Sequence, residues 1–160
     1  MTVQIQAPMK VSAYLKPQNI CLDLKQTEKK AALREVAALL KESGGITDFE
    51  VFLNEILERE RISNTALGHE VALPHARTDQ VHDIVVAVGR HETGVDFGAH
   101  DQLPVKFIIL IGTPKKMVTD YLRIVGALAR LMKREEFRAN LMMSKTPEQF
   151  IETFKRAEGN

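Results

Sequence analysis

The sequence predicts an α/β fold, a single domain over residues 1–160 in which a mixed β-sheet is sandwiched between helices. Three observations predict it. The chain is 160 residues long and carries no internal repeat or low-complexity linker, which suits one compact domain with a full core. Segments 84–89 and 104–111 are dense in Val and Ile, as buried strands are. Around them lie stretches whose apolar residues recur at helical intervals behind residues that cap helices.

In order along the chain, residues 1–18 hold Pro8 and Pro17 and no sustained period, so they read as an irregular N-terminal arm running into a strand over 19–24. Thr27 caps a helix over 27–42 whose apolar face is Ala31, Leu33, Val36, Ala37, Leu39 and Leu40, and Gly44-Gly45 stops it. Thr47-Asp48-Phe49-Glu50 has capping-box spacing, and Phe49, Phe52, Leu53, Ile56 and Leu57 carry a second helix to Arg59. Extended segments at 70–73, 84–89 and 104–111 form the sheet. A long helix over 116–133 buries Tyr121, Ile124, Val125, Leu128, Leu131 and Met132, and a short one spans 135–142. Thr146-Pro147-Glu148-Gln149 opens the last helix with a cap, a proline in the first turn and a capping-box glutamine.

Composition narrows the functional classes. Lys plus Arg number 22 against 21 for Asp plus Glu, a net charge of +1, so no general attraction to nucleic acid or an anionic membrane is expected. Cys21 is the only cysteine; no internal disulfide can form, and a reducing, cytoplasmic compartment is favoured. It sits among Ile20, Leu22 and Leu24 and reads as a small core residue. No apolar run reaches the length of a membrane span and residues 1–11 lack a signal-peptide core, so a soluble protein without membrane insertion is expected.

The stretch Leu67-Gly68-His69-Glu70-Val71-Ala72-Leu73-Pro74-His75-Ala76-Arg77 carries the chemistry, because it places a histidine directly after a proline at the end of a short apolar run. Pro74 fixes its own φ and biases Leu73 toward an extended backbone. The chain should therefore leave a strand at Leu73 and present His75 in a defined direction. An imidazole with a reference pKa of about 6.5 is largely neutral at cellular pH and can offer one ring nitrogen to an electrophile.

Glu60, Leu67-Gly68 and Val71-Ala72-Leu73-Pro74-His75-Ala76 match an active-histidine signature at every constrained position. In this the chain resembles the enzyme IIA domain, fructose/mannitol/nitrogen-regulatory type, of the phosphoenolpyruvate-dependent sugar phosphotransferase system. The resemblance extends through Arg59-Glu60-Arg61 and Thr65 upstream and through Gly94-Val95-Asp96-Phe97, Pro104-Val105 and the apolar run 107–111 downstream, over residues 20–156. It implies the same α/β sandwich. It also implies that His75 takes a phosphoryl group from the phosphohistidine carrier protein HPr, or a nitrogen-branch HPr-like relative, and passes it on or uses it as a signal. Such transfer needs an in-line nucleophile and cationic or N–H groups for the equatorial oxygens. Arg59, sixteen residues before His75, stands where the family carries an arginine near its active site, which implies phosphoryl stabilisation. From the residues alone, the simpler reading of Arg59 is that it complements the dipole of a helix end. No cofactor and no bound metal is expected.

Two departures matter. The family has a small polar pair such as Asn-Gly or Glu-Ser where this chain has His69-Glu70, and a second histidine at the start of the long helix where this chain has Asp120. A carboxylate there can accept a hydrogen bond from the imidazole and orient His75. It would also face the phosphoryl dianion: at about 5 Å and an effective dielectric of about 20, each pair of unit charges costs roughly 3 kcal/mol unless Arg59 or Arg123 compensates. If residues 69–75 are extended, His69 shares a face with His75 but lies about 20 Å along the strand. Only a bend at Gly68 or Pro74 would join them, and a solvated loop residue is the simpler reading.

The five histidines, His69, His75, His82, His91 and His100, lie within one third of the chain, which raises a metal site as an alternative. His75, Asp79 and His82 could converge only through a tight turn. His82, His91 and His100 sit beside charged or turn residues and read as surface histidines. Three functional classes remain. One is a stand-alone regulator of nitrogen-branch type, whose phosphorylation state controls a kinase, channel or transporter. Another is a phosphoryl donor to a fructose/mannitol-type membrane sugar transporter, and the third a degenerate, non-phosphorylated interaction module. The 160 residues include no membrane segment or fused permease domain, so the regulator is the expectation; Asp120 keeps the third class open.

Overall fold

The computed structural model describes residues 9–43 and 45–159. Two 3-10 turns, Val11–Tyr14 and Pro17–Asn19, lead into strand β1 (Ile20–Cys21). Helices α1 (Lys29–Ala38) and α2 (Phe49–Ile62) follow. Next come strands β2 (Ala66–Gly68), β3 (Val71–Ala72), β4 (His75–Thr78), β5 (Val85–Val95) and β6 (Val105–Pro114). Helices α3 (Val118–Met132), α4 (Glu135–Met143) and α5 (Pro147–Ala157) come last.

The sheet runs β1-β5-β6-β3-β2, with β4 also paired to β6. Pairing is mixed: β5 and β3 meet β6 and β2 antiparallel, while β1 lies parallel on β5, and β3 and β4 parallel on β6. Strand β6 is central, and all but Lys106 of it is buried, which is why it reads as an unbroken apolar run rather than an alternating one. On one face Leu73, Val86, Val88, Phe107, Ile109 and Ile111 pack beneath Ile124, Leu128, Phe137, Phe150 and Phe154 of α3, α4 and α5. On the other, Ala72, Ala87, Ile108 and Leu110 pack beneath Leu33, Val36, Phe52 and Ile56 of α1 and α2. The α/β sandwich expected from the sequence is the fold observed.

Local chemistry moves several boundaries. Glu28, not Thr27, caps α1: its longer side chain reaches over the first turn to accept from Lys30 N at 3.0 Å and Ala31 N at 2.9 Å. Thr27 instead gives its carbonyl to Asp96 N at 3.0 Å. The helix stops before residue 42 because the N–H groups of Leu39, Leu40 and Lys41 take carbonyls three residues back, tightening the last turn. Gly44, expected as part of the stop, lies outside the described residues. Asp48 rather than Thr47 caps α2, accepting from Val51 N at 3.2 Å, and α2 runs past Arg59 to Ile62. The cap of α5 is as read, with Thr146 Oγ1 accepting from Gln149 N at 3.1 Å.

Residues 9–18 of the N-terminal arm lack a period because 3-10 turns place Val11 and Leu15 in the core. Glu158 at the end of α5 anchors them, accepting from Val11 N at 2.5 Å and Ser12 N at 3.3 Å. Residues 1–8 lie outside the described residues. Strand β1 is short and at the sheet edge, so Cys21 is half-buried rather than a core residue, its thiol donating to Asp23 at 3.4 Å. His91, expected at the surface, is 7% exposed. Its Nδ1 accepts from Gly94 N at 2.9 Å and Thr93 N at 3.2 Å, closing a bend in β5 where Gly94 has φ 108°.

Candidate functional site

The last turns of α2 hold Arg59 and Glu60, with opposite surroundings. Glu60 is 5% exposed. Its carboxylate accepts from Thr65 N at 2.9 Å and Thr65 Oγ1 at 2.6 Å and pairs with Lys29 Nζ at 2.9 Å. This fastens the end of α2 to the segment entering β2. Leu73 N in turn donates to the Thr65 carbonyl at 3.1 Å, so the glutamate is a prop beneath the β3–β4 link that carries His75.

At that link the chain does not leave the sheet. Pro74 cannot donate, but its carbonyl accepts from Ile111 N at 2.9 Å, and the backbone resumes as β4, parallel to β6 with His75 opposite Ile111. His75 therefore opens a strand instead of standing in a turn, because proline removes one donor while leaving its acceptor free to pair. His75 Nδ1 lies 2.7 Å from the Leu73 carbonyl. A carbonyl can only accept, so Nδ1 carries the proton and Nε2 keeps its lone pair. Arg59 requires the same tautomer, since its Nη2 can only donate and lies 3.5 Å from Nε2. The other arm, Nη1, donates to the Ser63 carbonyl at 3.0 Å.

The Tyr121 ring stands 5.4 Å from the imidazole, tilted by 56°. These groups line a cleft of ≈ 600 Å³ together with Glu55, Glu58, Ile62 and Arg77. Thr78 Oγ1 donates to Glu55 at 3.0 Å, and Arg77 Nη2 donates to the Lys115 carbonyl at 2.9 Å.

Burial holds the His75 pKa below the ordinary histidine value of 6.5; the Leu73 carbonyl opposes this, the Arg59 charge adds to it, and Glu60 opposes it. The neutral ring, the form with a free lone pair, thus persists to lower pH. The sign for stability follows. Between the depressed folded value and 6.5 the unfolded chain binds the proton more readily, so stability falls as pH drops through that window and is unaffected above it. An NMR titration is expected to place the His75 midpoint below 6.5, and Arg59→Ala to move it upward. A wild-type midpoint at or above that value contradicts the burial account.

Arg59 and His75 are brought together; Asp120 is elsewhere. It lies half-buried in the first turn of α3 and is not among the residues lining the cleft. Its charge is felt at Tyr14, whose phenol pKa is raised by burial first and then by Asp120 and Asp83. The residue that faces His75 is Tyr121, one position and about 100° around the helix. The N–H orientation expected of Asp120 is supplied by the Leu73 backbone. His69 and Glu70 have φ 57° and 67° and form the tight turn between β2 and β3, so 69–75 is not one extended run. Such a turn suits Asn-Gly; His-Glu adopts it at about 1 kcal/mol per residue. His69 N donates to Asp101 Oδ2 at 2.9 Å, its side chain is exposed, and it does not line the cleft.

Among the described residues, no three His, Cys, Asp or Glu side chains stand together as metal ligands, and no helix is long and apolar enough to cross a membrane. His82 and His100 are exposed. Sequence reasoning missed Tyr121, Arg77 and the Leu73 carbonyl. Only the last had a local signal, a histidine two residues beyond a carbonyl at a proline-fixed link.

The sandwich and the proline-preceded histidine beside an arginine define a IIA-type phosphotransferase-system domain. The family model for the phosphoenolpyruvate-dependent sugar phosphotransferase system, EIIA 2, matches residues 13–157, and the chain belongs to that family. It is 29% identical over 144 residues to the fructose-specific EIIABC component of Bacillus subtilis (strain 168), covering 90% of this chain and 23% of that protein. It is 31% identical over 137 residues to the nitrogen regulatory protein of Bradyrhizobium diazoefficiens, covering 86% of this chain and 89% of that one. The crystal structure of nitrogen regulatory protein IIA-Ntr from Neisseria meningitidis aligns with a TM-score of 0.83 at 27% identity, over 90% of this chain and 98% of that one. The chain thus spans less than a quarter of the fructose relative and most of the nitrogen-regulatory ones.

Proposed function

We propose that this IIA-type protein accepts a phosphoryl group on His75 Nε2 from a phosphohistidine carrier, HPr or a nitrogen-branch HPr-like protein, and acts mainly as a regulator. Its phosphorylation state then controls binding to a kinase, channel or transporter. One observation carries this: the 2.7 Å contact between His75 Nδ1 and the Leu73 carbonyl, which leaves Nε2 a neutral nucleophile beside Arg59. In the step, the P–N bond of the carrier's phosphohistidine breaks, a P–Nε2 bond forms, and the carrier imidazole leaves with the electron pair of the broken bond. Arg59 donates to the equatorial oxygens. The regulatory reading draws on the nitrogen regulatory relative, 89% of whose length is spanned. The fructose-specific relative favours a second reading, phosphoryl donation to a fructose/mannitol-type membrane transporter.

Incubation with phosphoenolpyruvate, enzyme I and the carrier, followed by intact mass, tests the acceptor role. The expected result is one added phosphoryl group; an unchanged mass would leave the fold as a non-phosphorylated interaction module. Arg59→Lys is expected to slow transfer at least ten-fold although charge is kept, because the ammonium cannot hold Ser63 and reach Nε2 with one planar fork. Its stability should change by less than about 1 kcal/mol. Equal rates for wild type, Arg59→Lys and Arg59→Ala would return Arg59 to a helix-end role.

A further inference from the structure

Arg77 sits two residues beyond His75 on β4. In a strand this places both side chains on one face, about 7 Å apart along the chain, and the register sets His75 opposite Ile111 and Arg77 opposite Thr113 on β6. Arg77 is exposed and lines the same cleft as Arg59, His75 and Tyr121. Its bond to the Lys115 carbonyl at 2.9 Å occupies one of the donors of a guanidinium that has five.

The charge balance of the cleft asks for a second cation. A phosphoryl group brings close to two negative charges, and the carboxylates of Glu55 and Glu58 line the same space. Glu58 is paired with Arg61, on the helix surface, and Glu55 takes a hydroxyl, not a cation. Against these Arg59 alone supplies a single positive charge beside Nε2. The two guanidinium charges act at one point: burial raises the Tyr121 phenol pKa, and Arg59 and Arg77 both lower it, with that ring 5.4 Å from the imidazole.

We propose that Arg77 is a second phosphoryl-binding residue, gripping the equatorial oxygens from β4 while Arg59 grips them from α2. The assignment rests on His75 being the acceptor, and it gives a role to a side chain that neither fold nor family signature explains. No bond changes beyond those of the transfer already written; Arg77 donates N–H groups and positive charge to oxygens that carry the phosphoryl charge.

Inorganic phosphate is the probe. It is titrated at constant ionic strength into the unphosphorylated full chain and followed through the imidazole NMR signals of His75. Wild type is expected to show a saturable shift, Arg77→Gln a phosphate affinity at least five-fold weaker, and Arg77→Lys an intermediate value, with thermal midpoints close to wild type. A His75 phosphate affinity unchanged in Arg77→Gln, or no phosphate response in wild type, overturns the proposal. A parallel transfer assay from the phosphorylated carrier separates the two readings. Wild type that takes no phosphoryl group defeats the acceptor role of His75, while the phosphate titration still decides Arg77.

Discussion

His75→Ala is expected to lose phosphoryl incorporation completely while keeping the fold. The nucleophile supplies the bond itself, so no neighbouring group can compensate as it could for a lost cation. The substitution sits at the first residue of β4, where the pairing to β6 is made by the main chain, and the deleted ring is only half-buried. Stability should change by about 1 kcal/mol, mostly through the lost contact with Tyr121. In wild type the adduct should be acid-labile and alkali-stable, as a phosphoramidate is and a serine or threonine ester is not. Mass addition persisting in a folded His75→Ala protein would show that another residue is the acceptor.

Glu60→Ala is expected to have the largest effect on stability, about 3 kcal/mol or more. It removes the acceptor of two Thr65 donors and the counter-charge of Lys29 from a position 5% exposed, and unpaired buried donors cost far more than the net value of the bonds they made. Glu60→Gln keeps the shape and one good acceptor and should fall near half that loss. Denaturant midpoints at matched m-values measure both. Since Thr65 holds the Leu73 N–H, the folded fraction of Glu60→Ala should also transfer phosphoryl groups more slowly. A loss below about 1 kcal/mol would mean that Glu60 does not prop the β3–β4 link.

The parts of this protein legible in the sequence are those set by short-range chemistry. The helix period of α3, the Thr146 cap of α5 and the Val/Ile density of β5 and β6 act within a few residues, and they place the layers of the sandwich. Strand β4 was not legible because His75-Ala76-Arg77-Thr78 has no apolar alternation; it is a strand through pairing with β6, thirty-six positions away in register. The turn at His69-Glu70 was hidden because neither residue advertises a left-handed backbone. At the site, His75 and its neighbour Arg59 could be read from the sequence, and the structure places them 3.5 Å apart. Tyr121 could not, since counting positions located the start of the long helix without its rotation about the axis, and Asp120 and Tyr121 face different surroundings for that reason.

The bond between His75 Nδ1 and the Leu73 carbonyl also determines where charge goes. In the proposed transfer, Nε2 would give its lone pair to phosphorus and the ring would become an imidazolium, its positive charge falling partly on the N–H already lodged against that carbonyl. No proton needs to enter or leave the solvent for the bond to form. Phosphorylation of His75 would therefore be written into the main chain as a polarised Leu73–Pro74 peptide group, flanked by the Pro74 carbonyl that pairs with Ile111 and the Leu73 N–H that pairs with Thr65. The Leu73 carbonyl carbon shift becomes a direct spectroscopic reporter of the phosphorylated state, readable without any label on phosphorus.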